Sequence, residues 1–208
     1  NAIFDLKPRF INGKLLDYNY ETGNLFTGGN EFRYFDIRSL RFLSYNVRRK
    51  YMEGNLKNAV LYADATKMNL PYLQTIDFKG KIVVDNRDGG VKGEIEGDYA
   101  AVHFSFISDK LAKDVYVFGE LTDWQIKDEY KMEWNEKSGQ YEKTLMLKQA
   151  YYNYYYVTPD ANKQADLQYT EGNHSNTEND YYVMIYNKNP FMQYDELLGT
   201  IHCNSMKR

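Results

Sequence analysis

The residues best equipped for chemistry lie in "ELTDWQIKDEYKMEW", where Glu120, Asp123, Asp128, Glu129 and Glu133 offer several carboxyl pairs. Glycoside hydrolysis needs one such pair, a proton donor and a base or nucleophile, fixed on either side of a sugar bond. Spacing along a turn fixes no separation in space, so a solvated hairpin is the expectation for this stretch. Nucleophilic chemistry has less to work with. There is no G-x-S-x-G elbow and no H-E-x-x-H pair, and the imidazoles are His103, His174 and His202. His103 and His202 fall within alternating strands, which predicts packed or surface positions. The stretch "VVDNRDGGVKGEIEGDY" aligns with a calcium loop at Asp85, Gly90 and Glu96, but Arg87 and Gly89 stand where oxygen ligands are required. A turn is the better reading. "GGVKGEIEG" also lacks the spacing and the Lys-Ser/Thr ending of a phosphate loop. In "EGNHSNTENDYY", the Asn, Asp and Thr side chains suit local turn bonds better than a cation site. The expectation is a chain with no catalytic residue, no metal site and no cofactor.

Composition bounds the remaining classes. The 208 residues are 43% hydrophobic and 26% charged, with net charge −3, and no apolar run reaches the ~18 residues of a membrane helix. Nothing is basic enough for a nucleic-acid footprint. One cysteine, Cys203, excludes an internal disulfide and leaves the compartment open. Asn1 stands where an initiator Met would be, which predicts a piece of a longer chain. Residues 1–96 carry a balance of +3 and residues 97–208 one of −6, and seven of the eight arginines precede Arg208 in the first half. That shift predicts a boundary near Gly93 to Gly97.

The elements that must position these residues are strands. The chain holds 21 Tyr, 11 Phe and 2 Trp, recurring at alternate positions in short runs bounded by Gly, Asn and Asp. Strands are expected near 14–20, 31–37, 40–49, 57–64 and 80–85, and again near 99–107, 114–119, 130–134, 140–147, 151–158, 180–187 and 197–203. Asn12-Gly13 suits a type I′ turn, and 65–74 could form a helical turn. The fold class expected is all-β: two β-sandwich domains, 1–93 and 97–208, the second immunoglobulin-like. In "AYYNYYYVTPD", Tyr152, Tyr154 and Tyr156 face one way and Tyr151, Asn153 and Tyr155 the other. One face enters the core, and the face with Asn153 is expected to be an aromatic surface that covers the sheet or meets a partner.

Two resemblances follow from these residues. "DVYVFGELTDWQIKDEYKMEWNEKSGQYEKTLMLKQAYYNYYYVTPD" resembles the immunoglobulin-like glycogen-binding modules found beside starch-acting enzymes and in the AMP-activated kinase. In those modules a tryptophan after the first strand stacks on glucose, and Trp124 is the matching position. Tyr155 stands where they place a lysine, and their second stacking tryptophan has no counterpart, Trp134 being on a different strand. The other resemblance spans nearly the whole chain. "NAIFDLKPRF", "FTGGNEFRYFDIRSLRF", "GDYAAVHFSF", "DVYVFGELTDWQ", "LKQAYYNYYYV", "EGNHSNTENDYYVMIY" and "YDELLGT", in that order, look like the C-terminal two-thirds of the type IX secretion system plug protein family of Bacteroidota. This resemblance implies a non-enzymatic, exported protein, periplasmic and associated with the outer membrane. It implies as partner the outer-membrane translocon barrel protein, whose pore the protein closes while no cargo occupies it. The family's N-terminal β-domain is not among these residues. Carbohydrate is the alternative partner, through a glycogen-type module. The contact residues expected under either reading are Asp123, Trp124, Tyr151 and Tyr155.

Overall fold

The computed structural model describes residues 2–4, 6–75, 77–89, 93–188, 191 and 193–206. Asn1 and Gly90, on which the readings of a longer chain and of a calcium loop touched, lie outside them. The strands are β1 (Phe10–Asn12), β2 (Leu15–Asp17), β3 (Arg33–Asp36), β4 (Val47–Glu53), β5 (Leu56–Leu61), β6 (Asp64–Ala65), β7 (Val83–Val84) and β8 (Tyr99–Ile107). They continue with β9 (Tyr116–Phe118), β10 (Glu133–Asn135), β11 (Gln140–Lys148), β12 (Ala150–Pro159), β13 (Ala165–Asp166), β14 (Asp180–Lys188) and β15 (Asp195–Asn204). Among the described residues, helix is confined to the single turn Gly93–Glu96 and two 3-10 turns, Glu120–Thr122 and Asp128–Tyr130. The fold is all-β, as the alternating aromatic pattern predicts.

Contacts divide the chain elsewhere than at residues 93 to 97. One compact unit is Gly29–Thr177, and the other joins Asn1–Gly28 to Glu178–Arg208. Backbone pairing explains the difference: β3 and β7 pair with β12, while β5 and β6 pair in parallel with β8. Residues 93 to 97 therefore lie inside one hydrogen-bonded assembly. Asp88, a few residues earlier, is tied into the same assembly, accepting from the Leu40 N–H at 2.6 Å and from Gln149 Nε2 at 3.0 Å. The shift in charge composition does not coincide with the division between the two units.

The central unit, Gly29–Thr177, is a sandwich. One sheet runs β10-β11-β8-β5-β4 with β6 beside β8, and the other has β12 at its centre, flanked by β13, β3, β7 and β9. Val102, Phe104 and Phe106 alternate along β8 and point into the core, against Phe35, Tyr152, Tyr154 and Tyr156 of the facing sheet. Phe35 and Tyr152 stack at 5.0 Å, and Phe104 meets Tyr154 edge-on at 5.4 Å. Such ring pairs add about 0.5–1.5 kcal/mol each beyond the burial itself.

The second face of β12 departs from expectation. Tyr151, Asn153 and Tyr155 are buried too. A strand paired along both edges presents two faces, and here the second is covered by Phe32, Phe118, Ile126, Ala165 and Leu167 around Tyr155, and by Tyr34 and Phe78 around Tyr151. The tyrosine row therefore packs on both sides, and its Asn153 face is no open surface.

The terminal unit is built differently. It contains the β1–β2 hairpin and the long antiparallel β14–β15 hairpin, with a bulge between Ile185 and Tyr186. None of its described residues is buried. The β1–β2 turn is centred one residue later than Asn12-Gly13 suggests: Asn12 pairs with Leu15, leaving Gly13 and Lys14 as the loop. Gly13 has φ 58° and Lys14 is not in the left-handed region, the pattern of a type II′ turn with Gly first.

Candidate contact site

The loop that carries Asp123 and Trp124 follows β9. Gly119, at φ 155°, leads into the 3-10 turn Glu120–Thr122, which is closed by Thr122 Oγ1 donating to the Gly119 carbonyl at 2.9 Å. The Trp124 N–H donates to the same carbonyl, also at 2.9 Å. This tight winding forces Asp123 and Trp124 into the left-handed region at φ 53° and 56°. Two adjacent non-glycine residues there cost roughly 1–2 kcal/mol each, so the surrounding contacts must hold them.

Those contacts are aromatic. The Trp124 ring meets Phe118 edge-on at 5.6 Å and Phe32 at 6.0 Å, and Phe32 stacks on Tyr155 at 4.3 Å. Gly80 makes the cluster possible. A Cβ there would sit 2.7 Å from Phe32 Cζ and 2.9 Å from Trp124 Cη2, and its φ of 80° favours glycine independently. Trp124 remains 45% exposed. Tyr155 lies beneath, with its hydroxyl donating to the Asn30 carbonyl at 2.5 Å, and burial pushes the phenol's pKa up.

Of the four expected contact residues, the structure brings Trp124 and Tyr155 into one cluster, joined by Phe32, with Trp124 outermost. Asp123 is beside Trp124 and open, with Lys127 Nζ at 3.7 Å from its carboxylate. Tyr151 belongs to a separate group. Its ring stacks on Tyr34 at 5.6 Å and lies under the Arg38 guanidinium at 5.4 Å, and burial raises its pKa. Only Asp123 and Trp124 are reachable from solvent without moving neighbours.

Two other carboxylates of this region are held in different elements. Glu120 accepts from the Ile82 N–H, and Glu133 stands opposite Glu142 in the β10–β11 ladder. An open groove of about 740 Å³ runs along that hairpin, lined by Glu133, Trp134, Glu136 and Glu142 among others. Hydrogen bonds from Asn135 and Gln140 hold Glu142 below its ordinary pKa, and Lys110 does the same for Glu136. Among the described residues no group of three or more His, Cys, Asp or Glu could hold a metal ion.

His103 bridges Asn58 and Thr144 at 2.9 Å on each ring nitrogen, and His202 lies on the surface at 2.9 Å from Asp180. Both positions agree with the packed or surface reading. His174 ends the central unit's last loop, where its N–H donates to the Gly29 carbonyl.

The largest polar feature is one that the motif search passes over. Arg33 is buried at the start of β3, donating through Nε to both Glu171 oxygens at 2.8 and 3.0 Å. Its Nη1 reaches Asp64 at 2.9 Å, and Asp64 Oδ2 accepts from Tyr154 at 2.6 Å and from Tyr156 at 3.1 Å. Lys67 Nζ stands 3.9 Å from Glu171. Burial alone would lower the Arg33 pKa, but Glu171 and Asp64 outweigh it and raise it, whereas burial prevails at Lys67 and lowers it.

Glu171 also completes β12. Between the stretches paired to β3 and to β13, the Tyr156 N–H donates to Glu171 Oε1 at 2.9 Å, and its carbonyl accepts from Thr170 Oγ1. The carboxylate thus substitutes for a missing neighbouring strand. One signal was present in the sequence: Arg33 shares the face of Phe35 in "EFRYF", so an apolar Phe35 carries an inward arginine that needs an acid. Nothing in the spacing names Glu171 as that acid.

No family model matches the chain, and no curated protein matches it. Among solved structures it is similar to a hypothetical protein from Parabacteroides merdae ATCC 43184, determined by crystallography at 2.30 Å. Identity is 29% and the TM-score is 0.87, over 96% of this chain and 51% of that one. The chain therefore spans about half the length of this relative, a protein of a Bacteroidota species.

Proposed function

We propose that this chain is a non-enzymatic component of the type IX protein secretion machinery, which plugs the periplasmic side of the outer-membrane translocon. The observation that carries the proposal is the ordered series of sequence blocks resembling that family, above all "GGNEFRYFDIRSLRF" and "TENDYYVMIY". The relative from Parabacteroides merdae is compatible with a Bacteroidota lineage. Physical requirements agree. A stopper for a protein-conducting pore needs folded bulk that does not deform, and the central unit has a doubly buried β12 and a paired internal ion cluster. It also needs reversible contacts through aromatic and arginine side chains, which dominate interface energetics. Among the described residues no helix is long and apolar enough to cross a membrane.

The direct experiment removes the protein from a strain with an intact translocon and measures leak of small probes across the outer membrane. Increased leak, together with co-purification of the protein with the barrel in wild type, supports the plug. Unchanged leak and no co-purification end it.

A second reading, a carbohydrate-binding module of the glycogen type, is favoured by one feature: half-exposed Trp124 on a strained loop. Strained non-glycine backbone collects at binding sites. Retardation in a native gel containing glycogen, lost in Trp124→Ala, would support it. Equal migration of both proteins would remove it.

A further inference from the structure

We propose that the loop between β3 and β4 is an anchor for a bilayer surface of anionic phospholipid. Residues 37–52, "IRSLRFLSYNVRRKYM", which cover that loop and most of β4, hold Arg38 and Arg41 in the loop and Arg48, Arg49 and Lys50 on the strand, with no Asp or Glu, in a chain whose net charge is −3. In the same loop Phe42, Leu43 and Tyr45 are 72%, 65% and 70% exposed. Three large apolar side chains at one loop, with nothing covering them, are costly in water unless a partner takes them.

The loop is built to hold them out. Lys50 Nζ reaches inward to the carbonyls of Ser39 and Phe42 at 2.6 and 2.5 Å and to Ser44 Oγ at 3.0 Å. Ser39 Oγ accepts from the Arg41 and Phe42 N–H groups at 3.2 and 3.1 Å, while Asp88 fixes the Leu40 N–H. Asn46, at φ 60°, donates from Nδ2 to the Tyr34 carbonyl at 2.7 Å. With the backbone satisfied from inside, the loop tip does not need to collapse onto the sheet.

Positive charge outnumbers negative around it. Two acids beside it are already engaged: Asp36 takes the Arg38 guanidinium at 2.7 and 3.0 Å, and Asp88 is bound to Ser39, Leu40 and Gln149 and feels the charge of Arg41. Among the described residues, Arg41, Arg48 and Arg49 form no salt bridge, and all three are exposed. A protein pocket for Phe42 and Leu43 would be expected to meet a mosaic of both signs. Exposed arginines at the apolar loop (Arg41) and on the adjoining strand (Arg48 and Arg49) instead complement a surface that is uniformly negative above and apolar beneath, as an anionic leaflet is.

The test is co-sedimentation of the full chain with vesicles of phosphatidylcholine alone or with phosphatidylglycerol added. Binding is expected to phosphatidylglycerol vesicles at low salt. It should weaken on the order of a hundredfold in Arg41→Gln/Arg48→Gln/Arg49→Gln, at about fivefold per charge. Phe42→Ser/Leu43→Ser should lose binding as well, with the thermal transition of both variants unchanged. Absence of binding by the unmodified chain overturns the proposal, as does binding that neither variant alters. Loss of translocon co-purification in these variants, without any vesicle binding, would assign the loop to a protein and also overturn it. This experiment is independent of the plug reading, since vesicles contain no translocon.

Discussion

The two units are made of the same kind of strand and are held together by different means. In the central unit, β12 buries both faces and both edges, and a buried arginine is matched by two carboxylates. In the terminal unit, β14 and β15 pair over nine positions, yet Tyr182, Met184, Ile185, Tyr186, Leu198 and Ile201 remain exposed. Alternation of apolar residues is therefore sufficient to make a strand and insufficient to make a core. A core needs a second layer, and a lone two-stranded hairpin is marginally stable in water.

Substitutions should separate the two units in proportion to what each one buries. The largest effect is expected at the ion cluster: Glu171→Ala leaves Arg33 buried with half its partners and the Tyr156 N–H unsatisfied. A loss of about 3–5 kcal/mol is expected, read by urea unfolding. Retention of full stability would mean that the cluster is hydrated and exchangeable. Phe104→Ala removes the ring that touches both Phe35 and Tyr154, for a loss of about 3–4 kcal/mol by the same measurement.

Next comes Gly80→Ala, which must displace the Phe32 or Trp124 ring in addition to straining φ. A loss of about 1–3 kcal/mol with increased tryptophan solvent accessibility, read by fluorescence quenching, is expected. At the small end, Ile201→Ser on β15 should change the main unfolding transition by less than about 0.5 kcal/mol. A large change there would show that the hairpin contributes to a core.

Acid should affect the central unit in a defined direction. Burial would raise the pKa of Asp36, but the Arg38 hydrogen bonds outweigh it and hold it below its ordinary 3.8. The bonds from Ser39 and Leu40 do the same for Asp88 against its own burial. For a carboxylate held low in the folded state, the stabilisation is fully present above the unfolded value and is lost as pH falls through the folded one. Stability of the central unit should therefore decline below about pH 4, and Asp36→Asn should flatten that decline.

Much of this architecture was legible in the chain. Period-two alternation found β8, β11, β12, β14 and β15 within a residue or two, because each is long and edged by turn residues. Pairing was not legible. The parallel contact of β5 with β8 and the reach of β3 to β12 are set by packing among residues about 40 to 120 positions apart. For the same reason, charge composition suggested a boundary where pairing has none. Trp124 could be found because a known motif carries it, but burial of Tyr151 and Tyr155 depends on loops whose course the alternation does not encode. The Arg33–Glu171 pair spans 138 residues, and neither half was marked by a motif, the inward place of Arg33 beside Phe35 being the one available signal.

The contrast between a unit with a buried core and one whose described residues are all at least partly exposed is tested most directly by amide hydrogen exchange on the intact chain under native conditions. The account predicts that Tyr152, Tyr154 and Tyr156 exchange only through global unfolding of the central unit. Amides of β14 and β15 should exchange orders of magnitude faster through local opening. Equal protection of Val183 and Tyr154 would contradict it, since it would require the hairpin to share a core that these residues do not form.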